Sequence, residues 1–241
     1  MFMKTAFCWL LILAGALGAA KAQNKYENLT VLPKDISKQE LSSIMKKFSA
    51  DLGVRCNFCH EGEANAPLST YDFASDKNHH KEISREMIHL VNTINKKITE
   101  VIHDEGALEV TCRTCHRGVV HPRTLQQELA RANERKGITS AVERYTKLRE
   151  RYYGKDSYNF GEGSLISFGK GLLDGGKLDE AAVILELNAS HFPKSSATQA
   201  QLGEVHARKG DKAKAVTYME KALSLDPNNR FAKKRLAELK K

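Results

Sequence analysis

Two short stretches of this chain share one pattern: Cys56-Asn57-Phe58-Cys59-His60 and Cys112-Arg113-Thr114-Cys115-His116. Each reads C-x-x-C-H, the spacing at which two thiols bond covalently to a haem and the adjacent imidazole becomes the proximal iron ligand. Of the five cysteines, only Cys8 lies outside these motifs. The pattern therefore predicts two haem c groups, attached through Cys56, Cys59, Cys112 and Cys115, with His60 and His116 as proximal ligands.

Paired cysteines also occur in zinc sites, redox-active dithiols and structural disulfides. Zinc hooks do not need a histidine directly after the second cysteine in both copies. A thioredoxin-like dithiol would need a βαβ surround, which the sequence lacks. Zinc and disulfides stay open as alternatives, and covalent haem is the interpretation that uses every residue of the motif.

The N-terminus has the form of a secretory signal peptide. A basic start that includes Lys4 precedes an apolar run over 6–17, and Ala20-Lys21-Ala22 offers small residues to a signal peptidase. Cleavage after Ala22 would remove Cys8 and leave a periplasmic protein, the compartment in which bacteria attach haem c. The apolar run is short for a membrane span, and retention as an uncleaved anchor is the alternative.

The formal net charge of +9 is unevenly distributed. Residues 23–122 contain 13 lysine and arginine residues against 14 acidic ones, whereas residues 123–241 contain 23 against 15. No nucleic-acid-binding motif accompanies this charge, so we expect no nucleic-acid partner. A basic C-terminal half instead favours an acidic protein partner.

Apolar residues recur at helical spacing almost throughout, which predicts an all-α fold. Ser37-Lys38-Gln39-Glu40 has the form of a capping box, so we expect a helix from Lys38 that ends near Gly53, just before the first motif. A second helix from about Lys77 to Ile102 precedes the second motif. Helix, turn and motif thus occur twice, as in an internal duplication.

Each of these helices carries one methionine on its apolar face, Met45 and Met87. Methionine is a common sixth ligand of electron-transfer haem, so we expect Met45 and Met87 as distal ligands, although methionine on such a face can simply fill a core. His103 is the rival for the second haem. His89 points away from Met87 on the helix. The remaining candidates are expected to be solvated: His79, His80 and His121.

Several segments resemble the photosynthetic reaction-centre cytochrome c subunit family over residues 30–122. They are 31–35 (VLPKD), 52–56 (LGVRC), 72–76 (DFASD) and 110–118 (VTCRTCHRG). In that family, the helix before each motif of a methionine-ligated haem supplies the axial methionine, which implies the same role for Met45 and Met87. The family's subunit holds four haems and this chain has two motifs, so the resemblance implies a haem-binding fold and electron transfer rather than photosynthesis.

The C-terminal half shows a period of 34 residues. The pairs that are 34 apart are Gly169 and Gly203, Gly176 and Gly210, Ala181 and Ala215, and Pro193 and Pro227. This pattern resembles tetratricopeptide repeats, in which small residues lie where two helices cross. We therefore predict a signal peptide over 1–22, a dihaem cytochrome c domain over 23–122, a connector or degenerate repeat over 123–161, two repeats over 162–229 and a capping helix over 230–241.

Together these patterns predict a small dihaem c-type cytochrome domain followed by a helical repeat domain. The expected function is electron transfer between redox partners, with the repeats docking one of them. The alternatives are a haem enzyme, such as a peroxidase or a small-molecule reductase, and a scaffold or sensor that bears haem. An enzyme would need an open sixth iron position and a distal pocket, for which this short domain leaves little chain.

Overall fold

The computed structural model describes residues 26–102 and 108–241, and it confirms an all-α fold over that part of the chain. Within these ranges there are ten α-helices, two short 3₁₀ helices and no β-strand. The α-helices are α1 Lys38–Leu52, α2 His79–Val101, α3 Cys112–His116, α4 Leu125–Lys136, α5 Ile138–Tyr152, α6 Glu162–Asp174, α7 Leu178–His191, α8 Ser196–Arg208, α9 Lys212–Leu225 and α10 Arg230–Leu239. Among the described helices, none has the length and apolar character of a membrane span.

The chain divides into two compact units. The first contains the described residues 26–46 and 56–101, and the second contains 47–55, 102 and 108–241. The division differs from the predicted boundaries, because it assigns the second motif and the end of α1 to the unit that carries the repeats. The predicted signal peptide and His103 lie outside the described residues.

The first unit consists of the start of α1, the first motif, a long loop and α2. The Ser37 side chain accepts a hydrogen bond from the Glu40 backbone N–H at 3.1 Å, as expected for the cap of α1. Ile36 is the one buried hydrophobic side chain among the described residues of this unit. Its apolar residues are instead concentrated along one face of α2, where Ile83, Met87 and Leu90 are exposed.

The second unit is built from helix pairs. Helix α4 packs on α5, α6 on α7 and α8 on α9, while α10 covers α9. The last two pairs and α10 lie within the segments predicted as two repeats and a cap. The largest fully buried side chains of its main core are Leu125, Leu129, Tyr145, Leu165, Leu173, Ile184, Leu185, Leu202 and Val205.

Two glycines set the close approach of the helices within the last two pairs. A Cβ atom at Gly169 would lie 2.8 Å from Cγ of Leu185, and one at Gly203 would lie 3.0 Å from Cε of Met219. Both glycines and both partner residues are one repeat period apart. The 34-residue period is therefore a packing requirement that recurs in each pair.

The end of α1 depends on a close contact between two glycines of the second unit, Gly53 and Gly118. Gly53 has φ +67°, and a Cβ there would lie only 2.1 Å from the carbonyl oxygen of Gly118. The Gly118 N–H donates to the carbonyl oxygen of Asp51 at 2.8 Å. The segment after the second motif therefore lies directly on the C-terminal turn of α1.

We predict that Gly169→Ala destabilises the repeats, by about 1–3 kcal/mol, because the added methyl overlaps the fully buried Leu185. Gly171→Ala in the same helix is the control. A Cβ there meets nothing within 4 Å, so it should raise the free energy of unfolding by about 0.5–1 kcal/mol. Urea unfolding followed by circular dichroism measures both values, and a stabilising Gly169→Ala would contradict the packing described here.

We predict that Gly53→Ala lowers the melting temperature more than Gly154→Ala. Both glycines have positive φ, at +67° and +77°, so alanine is strained at either position. Only at Gly53 does the methyl also collide with another backbone, since a Cβ at Gly154 has no neighbour within 4 Å. Thermal unfolding of the two variants tests this, and equal losses would show that the contact with Gly118 contributes nothing.

Candidate haem sites

The first motif forms a tight turn in the first unit. Cys56–Phe58 is a 3₁₀ helix, and the N–H groups of Cys59 and His60 donate to the Cys56 carbonyl at 3.3 and 3.0 Å. The turn therefore brings both thiols and the imidazole into one local group, with all three side chains half-buried. Both thiols are free, and their sulfur atoms are the ones that would form thioether bonds to a haem.

A structured loop, residues 61–76, follows the first motif; we call it the proximal loop. The Asp72 N–H donates to the Glu61 carbonyl at 3.0 Å, and the Tyr71 hydroxyl donates to the Glu63 carbonyl at 2.8 Å. The loop also contains Phe73, whose ring lies edge-on to the His60 ring at a centroid distance of 5.0 Å. The proximal loop therefore limits how the His60 imidazole can turn.

The His60 imidazole is in a state suited to iron. Burial lowers its pKa, and the positive charge of Lys81 lowers it further, while the Phe73 backbone acts in the opposite direction. The ring is thus held neutral, as a ligand nitrogen must be. Its Nδ1 atom is buried and makes no close hydrogen bond in the described part of the chain.

The second motif is the short helix α3, which lies in the second unit. Thr111 and Thr114 form a capping box at its start, and Arg117 ends it with φ +50°. His116 Nδ1 lies 3.0 Å from the Val119 carbonyl oxygen. Since a carbonyl only accepts, Nδ1 carries a proton, and Nε2 is then the ring nitrogen that could bind a metal.

The second motif is also tied to the loop between α5 and α6. Arg113 donates to both carboxylate oxygens of Asp156, at 3.2 Å from Nε and 2.7 Å from Nη2, and these bonds lower the pKa of Asp156. The Ser157 hydroxyl donates to the Arg117 carbonyl at 2.7 Å. Burial raises the pKa of the Cys112 thiol, so the free thiol stays protonated. The second motif therefore has its orientation set by the body of the repeat domain.

The two predicted methionine ligands both lie in the first unit. Met45 is half-buried on α1 and belongs to the same unit as the first motif. Met87 is exposed on the apolar face of α2, in the first unit, whereas the second motif belongs to the second. Ligation of iron by either residue stays a prediction. The histidines expected to be solvated are exposed: His79, His80 and His121.

Residues that the sequence interpretation missed surround the first motif. His80 places its ring 4.1 Å from that of Phe58, and Ser84 Oγ lies 3.5 Å from Cys59 Sγ. Phe73 and Lys81 act on His60. Phe73 lies in the 72–76 segment that carried part of the family resemblance, so a signal existed for it, whereas nothing in the sequence marked Lys81.

These features fit haem. The apolar face of α2 offers a surface for a flat macrocycle, and each motif supplies two thiols and one imidazole. The hydrogen bond from His116 Nδ1 to the Val119 carbonyl leaves Nε2 as the nitrogen that could bind iron. Across the described residues, no group of three or more histidine, cysteine, aspartate or glutamate side chains has the geometry of a metal-ion site.

Comparisons with known proteins extend this picture. Residues 12–151 match the family model of the photosynthetic reaction centre cytochrome c subunit, and residues 197–229 match a tetratricopeptide repeat. The chain is 34% identical over 100 residues to the photosynthetic reaction center cytochrome c subunit of Thermochromatium tepidum. That match covers 41% of this chain and 22% of the relative.

Among solved structures, the first tetratricopeptide domain of human RPAP3 is similar to 48% of this chain, at 18% identity and a TM-score of 0.35, and 87% of that structure is covered. Its second such domain, solved with an HSP70 peptide, gives 20% identity, the same TM-score and 96% coverage. The family match includes both C-x-x-C-H motifs and reaches into α5. The chain belongs to the photosynthetic reaction-centre cytochrome c subunit family, and it carries a tetratricopeptide repeat near its C-terminus.

Proposed function

We propose that this protein is an exported dihaem c-type cytochrome that carries electrons between redox partners. The observation that carries the proposal is the pair of C-x-x-C-H turns, each of which brings two thiols and one imidazole together. When bound, each haem supplies one iron that cycles between the ferrous and ferric states. The protein's own residues attach and orient the haems, and Met45 and Met87 would complete the iron ligation.

In this proposal the repeats provide the surface on which a redox partner docks. The second unit holds most of the basic excess of the chain, and its last two helices expose several lysines: Lys212, Lys214, Lys221, Lys233 and Lys234. Such a surface steers an acidic partner by long-range attraction. Because the second motif is fixed to this unit by Arg113 and Ser157, a partner held by the repeats would be held by the body that carries the second haem.

Export, signal-peptide cleavage and attachment of two haems together determine the expected intact mass of the protein. After expression with a cytochrome c maturation system, the mass should equal the chain from Gln23 plus two haems. Replacing Cys112 and Cys115 by alanine should remove one haem, because both thioether bonds of the second site are lost. Cys8→Ala is the control and should keep both haems, since Cys8 lies in the segment removed. A haem-free mass with bridged cysteines would overturn the cytochrome assignment.

Replacing an iron-binding methionine by leucine should change the spin state of the iron, while the side chain keeps a similar volume. Met45→Leu should convert one of the two haems from low spin to high spin, and Met87→Leu should convert the other, because leucine fills the space but cannot bind iron. Met219→Leu, in the repeat core, should leave both haems low spin. Absorption and electron paramagnetic resonance spectra report the change. Low-spin iron in both methionine variants would show that another residue is the ligand.

A further inference from the structure

The two proximal histidines differ in the partner of Nδ1. His116 Nδ1 donates to the Val119 carbonyl at 3.0 Å, whereas His60 Nδ1 makes no close hydrogen bond in the described part of the chain. The His60 ring instead packs against the Phe73 ring at a centroid distance of 5.0 Å, and the Lys81 ammonium donates to the Phe73 carbonyl oxygen at 3.0 Å. The same ligand type thus has two different surroundings.

Lys81 is unusually well held for a lysine. Its Nζ lies 3.0, 3.0 and 2.9 Å from the carbonyl oxygens of Phe73, Ala74 and Ser75, and 2.8 Å from the Asp76 carboxylate. Its side chain is only 12% exposed. An ammonium is costly to bury unless its donors are satisfied, and here all of them can be. The charge is therefore fixed in place at the end of the proximal loop.

The fixed charge acts on the redox equilibrium of the haem. An oxidised haem carries one more positive charge than a reduced haem, so a nearby cation disfavours the ferric state. Lys81 also anchors the carbonyl of Phe73, whose ring lies edge-on to the His60 ring at 5.0 Å. The Asp76 carboxylate opposes the charge effect, because it pairs with Lys81 at 2.8 Å and with Arg85 at 2.9 Å.

We propose that Lys81 raises the reduction potential of the haem at the first motif. It does so by holding a fixed positive charge beside His60. His116 instead donates to the Val119 carbonyl, so the two haems would have unequal potentials. The proposal rests on the proposed function, since it requires that the first motif carry haem.

The test is a redox titration of the intact dihaem protein and its variants. Lys81→Gln should shift the ferrous-to-ferric equilibrium of one haem toward the ferric state by about tenfold, which is about 59 mV for one electron. The other haem should not change. Lys97→Gln is the control, because Lys97 lies on the same helix with a side chain that is 73% exposed, and it should change neither potential.

Asp76→Asn gives a result of opposite sign. It removes the carboxylate that opposes Lys81, so it should shift the same haem toward the ferrous state. This exposed position also keeps the proposal testable if Lys81→Gln fails to fold. An unchanged potential in Lys81→Gln, or a shift of the same sign in Asp76→Asn, overturns the role of Lys81. Intact mass separates these outcomes from failure of the proposed function, which would appear as missing haem in the unaltered protein.

Discussion

One backbone hydrogen bond, from the Gly118 N–H to the Asp51 carbonyl at 2.8 Å, holds the second motif against the end of α1. Glycine is required at both positions, because a Cβ at Gly53 would overlap the Gly118 carbonyl and because Gly118 has φ +82°. Arg113 and Ser157 then fix the same motif to the loop between α5 and α6. The second site thus depends on residues more than forty positions apart, and it forms part of the repeat-bearing unit.

The sequence was informative where structure depends on neighbours in the chain. The Ser37 cap, the end of α1 at Gly53 and the 34-residue period were all visible because capping and helix crossing leave local residue signatures. The helix predicted over 77–102 is His79–Val101 in the structure, which begins two residues later and ends one residue earlier. The candidate thiols and imidazoles could be named for the same reason, since one short motif contains them.

What the sequence could not show was the surroundings of those ligands. Two copies of one motif suggest two equal sites, but the first is a 3₁₀ turn backed by a loop and the second is a capped helix backed by the repeat domain. Lys81 is twenty-one residues from His60 and has no motif of its own. Its importance arises from three carbonyls that only the folded loop brings together.

The two units also differ in how they can gain stability. The second has a continuous core of fully buried side chains from α4 to α8, so its helices stabilise one another. The first buries Ile36 alone among its described hydrophobic residues and presents an apolar face on α2. A haem bonded through Cys56 and Cys59 would supply the large apolar surface that this unit's own residues do not. Haem attachment at this motif would therefore be coupled to the folding of the first unit, where the proximal loop and Lys81 arrange the polar groups around His60.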